Sequence, residues 1–248
     1  MKNVLILLLL VCGSAQAVTV RAAVAANLRD AFARLEAAFE RAHPGVNVEA
    51  VYTSSGAAVT QIRQGAPFDL FLAADTDFAR ELVRSGHAVP GSLRPYARGK
   101  LVLWISRRHG VQPRGLEVLQ DPRLTRVALA SPETAPYGRS ALEALRRAGL
   151  LEQLRSKLVY GADIGITAQQ ALIGTGAGFI PYAYALTPAF ARAGSYWALP
   201  QRLYPPLDQA MVIVKGRDGP PVRALYHFVL SEAGQGILRA SGYTVPGR

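Results

Sequence analysis

Apolar and polar positions along this chain alternate between short runs with strand character and stretches in which apolar residues recur every three to four positions. Residues 18–24 read as a strand. Leu28, Phe32, Leu35 and Phe39 then fall on one helical face, at spacings of four, three and four, until His43-Pro44-Gly45 stops the helix. A strand over 46–52, a short helix over 57–64, an apolar strand over 69–74 and a helix over 76–85 ended by Gly86 follow. A βαβαβα order with short loops predicts a largely parallel sheet carrying helices on both faces.

A second unit of the same kind opens near Lys100. The uninterrupted apolar run 101–105 predicts a buried strand. Strands over 127–130, 157–160 and 178–182 alternate with helices over 139–148 and 167–173. A further strand over 209–215 precedes two helices over 222–230, with Leu225 and Phe228 inward, and 232–240. Turn-rich stretches at 90–99 and 199–206 separate the units. Two crossings make the second unit an insertion, with 18–96 plus 203–248 forming one lobe and 97–202 the other, and a cleft between them.

The start of the chain has a different pattern. Lys2 is followed by the apolar residues 4–11, and Ala15-Gln16-Ala17 is a small-x-small cleavage site, so 1–17 reads as a signal peptide. The single cysteine, Cys12, lies inside it. A lipoprotein signal there would have bulky Val11 where such signals take a small residue. Cleavage after Ala17 leaves a chain without disulfide or thiolate chemistry. Composition is globular, 50% hydrophobic and 18% charged, with a formal net charge of +11. That charge favours anionic partners in general. The arginines are scattered along helix surfaces, and the tyrosines do not alternate with cations as a single-strand-binding groove requires, so nucleic acid is not the expected partner.

The candidate chemistry lies at four strand-to-helix junctions: Ala25-Ala26-Asn27-Leu28, Thr53-Ser54-Ser55-Gly56, Pro136-Tyr137-Gly138 and Ala162-Asp163-Ile164-Gly165. At each, unpaired N–H groups and the positive end of a helix dipole can meet an anion. Each also has an ordinary structural reading. Asn27 can cap the first helix, with Asp30 completing a capping box, and Ser54 and Ser55 can cap the second. Tyr137 can be a turn aromatic and Ile164 a core residue.

These junctions carry a family resemblance. The chain resembles the periplasmic molybdate-binding proteins of ABC importers in Val24-Ala25-Ala26-Asn27-Leu28, in Ser54-Ser55-Gly56 with Gln61-Ile62, and in residues 65–75. Further matches are residues 132–138, Asp163-Ile164 with Thr167-Ala168-Gln169, and Gly242-Tyr243. The resemblance implies an α/β, two-lobe periplasmic-binding-protein fold of type II, each lobe a mixed, mainly parallel sheet flanked by helices, with two hinge crossings. It implies that Asn27 and Ser55 from one lobe and Tyr137 and Ile164 from the other hold molybdate or tungstate, Ile164 through its backbone N–H. Ala26, Ser54 and Tyr182 are secondary candidates. Where some members carry a ligand tyrosine, this chain has Pro181, and Tyr182 follows it. The implied partners are the permease and ATPase subunits of an importer; the implied protein is periplasmic, monomeric and without cofactor or free metal cation.

The chemistry of the ligand agrees independently. Molybdate near neutral pH is a fully deprotonated tetrahedral dianion, so a lining of amides and hydroxyls suits it. Sulfate makes similar demands at smaller size, and another tetrahedral oxyanion or a two-lobe transferase are the alternatives. Asp69 and Asp75 form a tempting acid pair, but Asp75 reads as the cap of the helix at 76. The four histidines are dispersed, and no phosphate-binding loop, nucleophile elbow or dinucleotide turn is present.

Overall fold

The computed structural model of this protein describes residues 17–245, so all but the last residue of the expected signal peptide, Cys12 included, lies outside the described residues. Strand β1 (Val18–Ala25) alternates strictly: Val20, Ala22 and Val24 enter one apolar layer and Ala23 the opposite one. A 3-10 turn over Ala26–Leu28 leads into α1 (Arg29–Ala42). Leu28, Phe32, Leu35 and Phe39 are all fully buried against the sheet, each contributing about 1.5–3 kcal/mol of apolar burial. The helix ends at His43, and Gly45 with φ +92° turns the chain into β2 (Val46–Thr53).

Then come α2 (Ser55–Arg63), β3 (Leu70–Leu72), α3 (Thr76–Arg84) and β4 (Arg94–Gly99). The second unit runs through β5 (Leu101–Ser106), β6 (Val127–Ala130), α4 (Pro136–Arg147), α5 (Leu151–Leu154), β7 (Leu158–Gly161) and α6 (Ile164–Gln169). A π-helical stretch over Gln170–Thr175 continues α6. It is followed by β8 (Ala177–Pro181), α7 (Tyr182–Ala185), α8 (Pro188–Ala193) and β9 (Gly194–Ala198). The chain returns through β10 (Leu207–Ile213), α9 (Pro220–Leu230) and α10 (Glu232–Ala240).

The strands form two five-stranded sheets, ordered β2-β1-β3-β10-β4 and β7-β6-β8-β5-β9. Both follow one plan. In the first, β1 pairs in parallel with β2 and β3, and β10 runs antiparallel to β3 and β4. In the second, β6 pairs in parallel with β7 and β8, and β5 runs antiparallel to β8 and β9. One reversed strand in each sheet makes both mixed and mainly parallel. Helices α1, α9 and α10 cover one face of the first sheet and α2 and α3 the other. The second sheet lies between α4 with α5 and α6 with α7 and α8. Among the described residues, no helix is long and apolar enough to cross a membrane.

Several expectations need correction. The stretch 90–99 is not all turn: β4 occupies Arg94–Gly99, crosses the expected lobe boundary at 96/97, and belongs wholly to the first sheet. The chain passes between sheets at Lys100, and its return follows the 3-10 turn Gln201–Leu203. Strand β9 and the short helices α5, α7 and α8 carry no expected element. The expected strand over 178–182 ends at Pro181, and Tyr182 begins α7. Phe228 is only partly buried. Helices α2, α4 and α6 each begin two or three residues earlier than the apolar periodicity indicates, which brings Ser55, Tyr137 and Ile164 into their first turns.

Candidate functional site

The C-terminal ends of β1, β2, β6 and β7 point toward the space between the sheets, and the turns that follow them surround one small cavity. It is lined by Ala26, Asn27, Ser54, Ser55, Tyr137 and Ile164, with Ala25, Thr53, Ala74, Ala135 and Pro136 completing the wall. Its volume is about 10 Å³, room for roughly one water-sized sphere and far below the roughly 300–1,000 Å³ of pockets for drug-sized ligands. Six of the seven residues singled out by sequence therefore line one small cavity.

Backbone geometry aims donors into it. Ser55 and Ile164 are the first residues of α2 and α6, and Tyr137 is the second of α4. First-turn N–H groups have no acceptor within their own helix, and the helix dipole adds partial positive charge there. Ser54 Oγ accepts from the Ala57 N–H at 3.3 Å, so its capping role is real. Ser55 Oγ accepts from the Ala74 N–H at 2.9 Å, which leaves its own proton available. Asp163 caps α6 by accepting from the Ile166 N–H at 2.8 Å. Gly138 lets α4 start hard against β6, since a Cβ there would collide with the Ala130 carbonyl oxygen.

Asn27 does not cap α1. The residue preceding that helix is Leu28, which makes no side-chain cap, and Asp30 is exposed. Asn27 Nδ2 instead donates to Gln209 Oε1 at 3.0 Å and to Tyr243 Oη at 3.1 Å, while Tyr243 donates back to the Asn27 carbonyl at 2.6 Å. The 3-10 turn pulls Asn27 inward, so its amide joins a buried polar network rather than the helix end. Tyr137 also reaches that network: Gln209 Nε2 donates to its hydroxyl at 3.3 Å, beside Gly99, where a Cβ would collide with Tyr137 Oη.

Tyr182 stands apart from the cavity. As the first residue of α7 its ring packs edge-on against Tyr196, centroids 5.5 Å apart, with the Lys100 ammonium 5.8 Å from the ring centre. Pro181 ends the strand one residue too early for Tyr182 to reach inward. Tyr184 takes the inward place, and its hydroxyl donates to the Ala26 carbonyl across the two units. Sequence reasoning missed Tyr184, Gln209 and Tyr96. The available signal was Gln209 itself, a polar residue leading the apolar run 210–214.

None of the lining residues is ionisable except Tyr137, and burial holds its hydroxyl well above the ordinary phenol range. The acid pair is accounted for elsewhere. Asp75 accepts from the Phe78 N–H at 3.0 Å and pairs with Arg139 of α4, and Asp69 accepts from the Arg21 N–H at 2.8 Å. Among the described residues, no group of three or more His, Cys, Asp or Glu side chains could hold a metal ion.

A family model for bacterial extracellular solute-binding proteins matches residues 20–244. This chain belongs to that family. It is 36% identical to the molybdate-binding protein ModA of Azotobacter vinelandii over 237 residues, 95% of this chain and 93% of that one. To ModA of Rhodobacter capsulatus it is 38% identical over 224 residues, covering 90% and 86% of the two chains. The solved structure of the Azotobacter vinelandii periplasmic molybdate-binding protein matches at a TM-score of 0.84 and 30% identity, over 92% of this chain and 100% of that one. For a solute-binding protein, the lining supplies hydrogen-bond donors and helix dipoles. It holds no carboxylate, imidazole or amine to activate its serines.

Proposed function

We propose that this protein captures molybdate, and also tungstate, in the cavity between its sheets and delivers it to the permease and ATPase subunits of an ABC importer. The observation that carries the reading is the convergence of first-turn amides and neutral side chains from α2, α4, α6 and the turn before α1 on one small cavity. Such a lining donates and brings no full charge, which matches an anion whose oxygens only accept. Hydrogen bonds to a charged group are worth about 1.5–3 kcal/mol each. Several of them, less closure and desolvation costs, reach the roughly −8 to −12 kcal/mol of micromolar to nanomolar binding. The ModA relatives support the choice of ligand.

In this reading the chain is exported by its cleaved leader, works in the periplasm as a monomer, and closes about the two crossings when the anion enters. The test is calorimetric titration of the ligand-stripped mature chain with molybdate, tungstate, sulfate and phosphate at matched ionic strength, with small-angle scattering before and after. One-to-one binding of molybdate and tungstate, with compaction and little heat from the others, is the expected result. Binding of sulfate or phosphate alone would replace the ligand, and silence with all four would end the receptor reading.

A further inference from the structure

The network behind the cavity contains two hydrogen-bonding mismatches. The first is at Asn27, whose side-chain nitrogen uses both protons on Gln209 Oε1 and Tyr243 Oη. Asn27 Oδ1 is then buried with no partner among the described residues. A carbonyl oxygen at a cavity wall is the wrong group for a ligand that only accepts. The second is at Tyr96, whose hydroxyl stands 2.9 Å from both the Ala73 carbonyl and Gln209 Oε1. A phenol has one proton, and both neighbours are acceptors.

One change corrects both mismatches. We propose that Gln209 is the positioning residue of the oxyanion site, and that in the binding state the carboxamides of Gln209 and Asn27 are both turned by half a rotation. The inference rests on the oxyanion reading given above. After the turn, Gln209 Nε2 donates to Tyr96 Oη and to Asn27 Oδ1, Gln209 Oε1 accepts the Tyr137 proton, and Asn27 Nδ2 is released to the ligand. Each phenol then has its own acceptor: Ala73 O for Tyr96, Asn27 O for Tyr243, and Gln209 Oε1 for Tyr137. The bond given up is the one from Asn27 Nδ2 to Tyr243, whose single proton is then shared between Asn27 O and Oδ1, a smaller cost than the two mismatches removed.

Gln209 is suited to this role by position. It is fully buried on β10, is not part of the cavity wall, and its carboxamide touches Asn27 from the first unit and Tyr137 from the second. It therefore links the orientation of a donor on one wall to the hydroxyl of a residue on the opposite wall. The titratable groups facing it are Tyr96, Tyr137 and Tyr243, all held well above the ordinary phenol range by burial. Asp75 acts on Tyr96 and Asp30 on Tyr243 through their charge.

The test uses the mature protein, its Gln209→Glu variant and its Gln209→Met variant, each titrated with molybdate at pH 6 and pH 8, with thermal melts to establish folding. In its charged form the carboxylate introduced by Gln209→Glu accepts only, so it holds Asn27 Nδ2 inward and Oδ1 toward the cavity. In its protonated form the same carboxyl has an O–H that replaces the Nε2 donor. Burial raises a carboxyl pKa by several units at most, enough to bring it into this range.

The expected results are wild-type affinity equal at both pH values within about twofold, Gln209→Glu binding about tenfold or more tighter at pH 6 than at pH 8, and Gln209→Met weakened about tenfold at both. A Gln209→Glu loss that is the same at both pH values overturns the inference. So does Gln209→Met binding like the wild type, because the effect of Gln209→Glu would then be charge repulsion alone. If Gln209→Met does not fold, Gln209→Glu at pH 6 serves as the folded control. A wild type that binds none of the oxyanions overturns the receptor reading, and the inference with it.

Discussion

The Gly56 N–H donates to the Thr134 carbonyl at 2.9 Å, a backbone bond between the first turn of α2 and the loop that precedes α4. It ties the two units together at the edge of the cavity. A Cβ at Gly56 would lie 3.0 Å from Thr134 Cα and 3.1 Å from Phe78 Cζ. Gly56→Ala therefore obstructs the approach of the two units while improving helix propensity by about 1 kcal/mol. The expected outcome is weaker molybdate binding by calorimetry, with a melting temperature of the ligand-free protein no lower than that of the wild type.

Tyr184→Phe removes the donor to the Ala26 carbonyl and leaves the stacking of ring 184 on Phe190, centroids 6.3 Å apart, in place. A buried acceptor left unpaired costs about 1–3 kcal/mol. Because this bond joins α7 to the turn that carries Asn27, most of the cost should appear as lost affinity, about tenfold, measured by titration. A loss confined to the melting temperature would assign the bond to folding alone.

Tyr182→Phe should leave affinity within about twofold, because the ring packs on Tyr196 and Lys100 outside the cavity. Parallel titrations of Tyr182→Phe and Tyr184→Phe separate the two tyrosines. A large loss at Tyr182 would move the site.

Asp75 gives a pH dependence with a defined sign. Burial holds its carboxyl above the ordinary carboxylate range, against the Phe78 N–H and the Arg139 guanidinium, which pull it down. A raised folded-state pKa gives a stabilising contribution that is complete below the unfolded value of about 3.9 and is lost as pH rises through the folded value. Asp75→Asn keeps a good capping side chain and carries no charge. Melting curves should place Asp75→Asn above the wild type at pH 7, with the gap closing in acid as Asp75 protonates.

The fold was legible wherever burial dictates the pattern. Leu28, Phe32, Leu35 and Phe39 mark α1, and the uniformly apolar run of β5 marks a strand buried on both faces. Of the four edge strands, β2 and β7 were legible and β4 and β9 were not. In β4, Pro95 and the exposed Arg94 and Arg98 obscure the alternation, which an edge tolerates because one side of the strand makes no ladder. In β9, Gly194 has the same effect.

At the cavity, the junction residues could be read because strand-to-helix turns have their own signature. Their helices were placed too late because Ser55, Gly56, Tyr137 and Gly138 belong to first turns facing the cavity, where no apolar period is required. Gln209 showed only as a polar residue ahead of an apolar run, and the roles of all three, Gln209, Tyr96 and Tyr184, arise from contacts across 113 residues in one pair and 158 in another.

The register of β4 with β10 has an architectural consequence. Gly99 and Leu207 are directly paired, so everything between them leaves and re-enters the first sheet at two adjacent points on neighbouring strands. Those points are about one strand spacing apart, roughly 5 Å. A two-residue Asn-Gly turn spans that gap. The whole second sheet with its helices thus occupies the place of a hairpin loop, and a shortened chain joining β4 straight to β10 would keep every strand pairing of the first sheet.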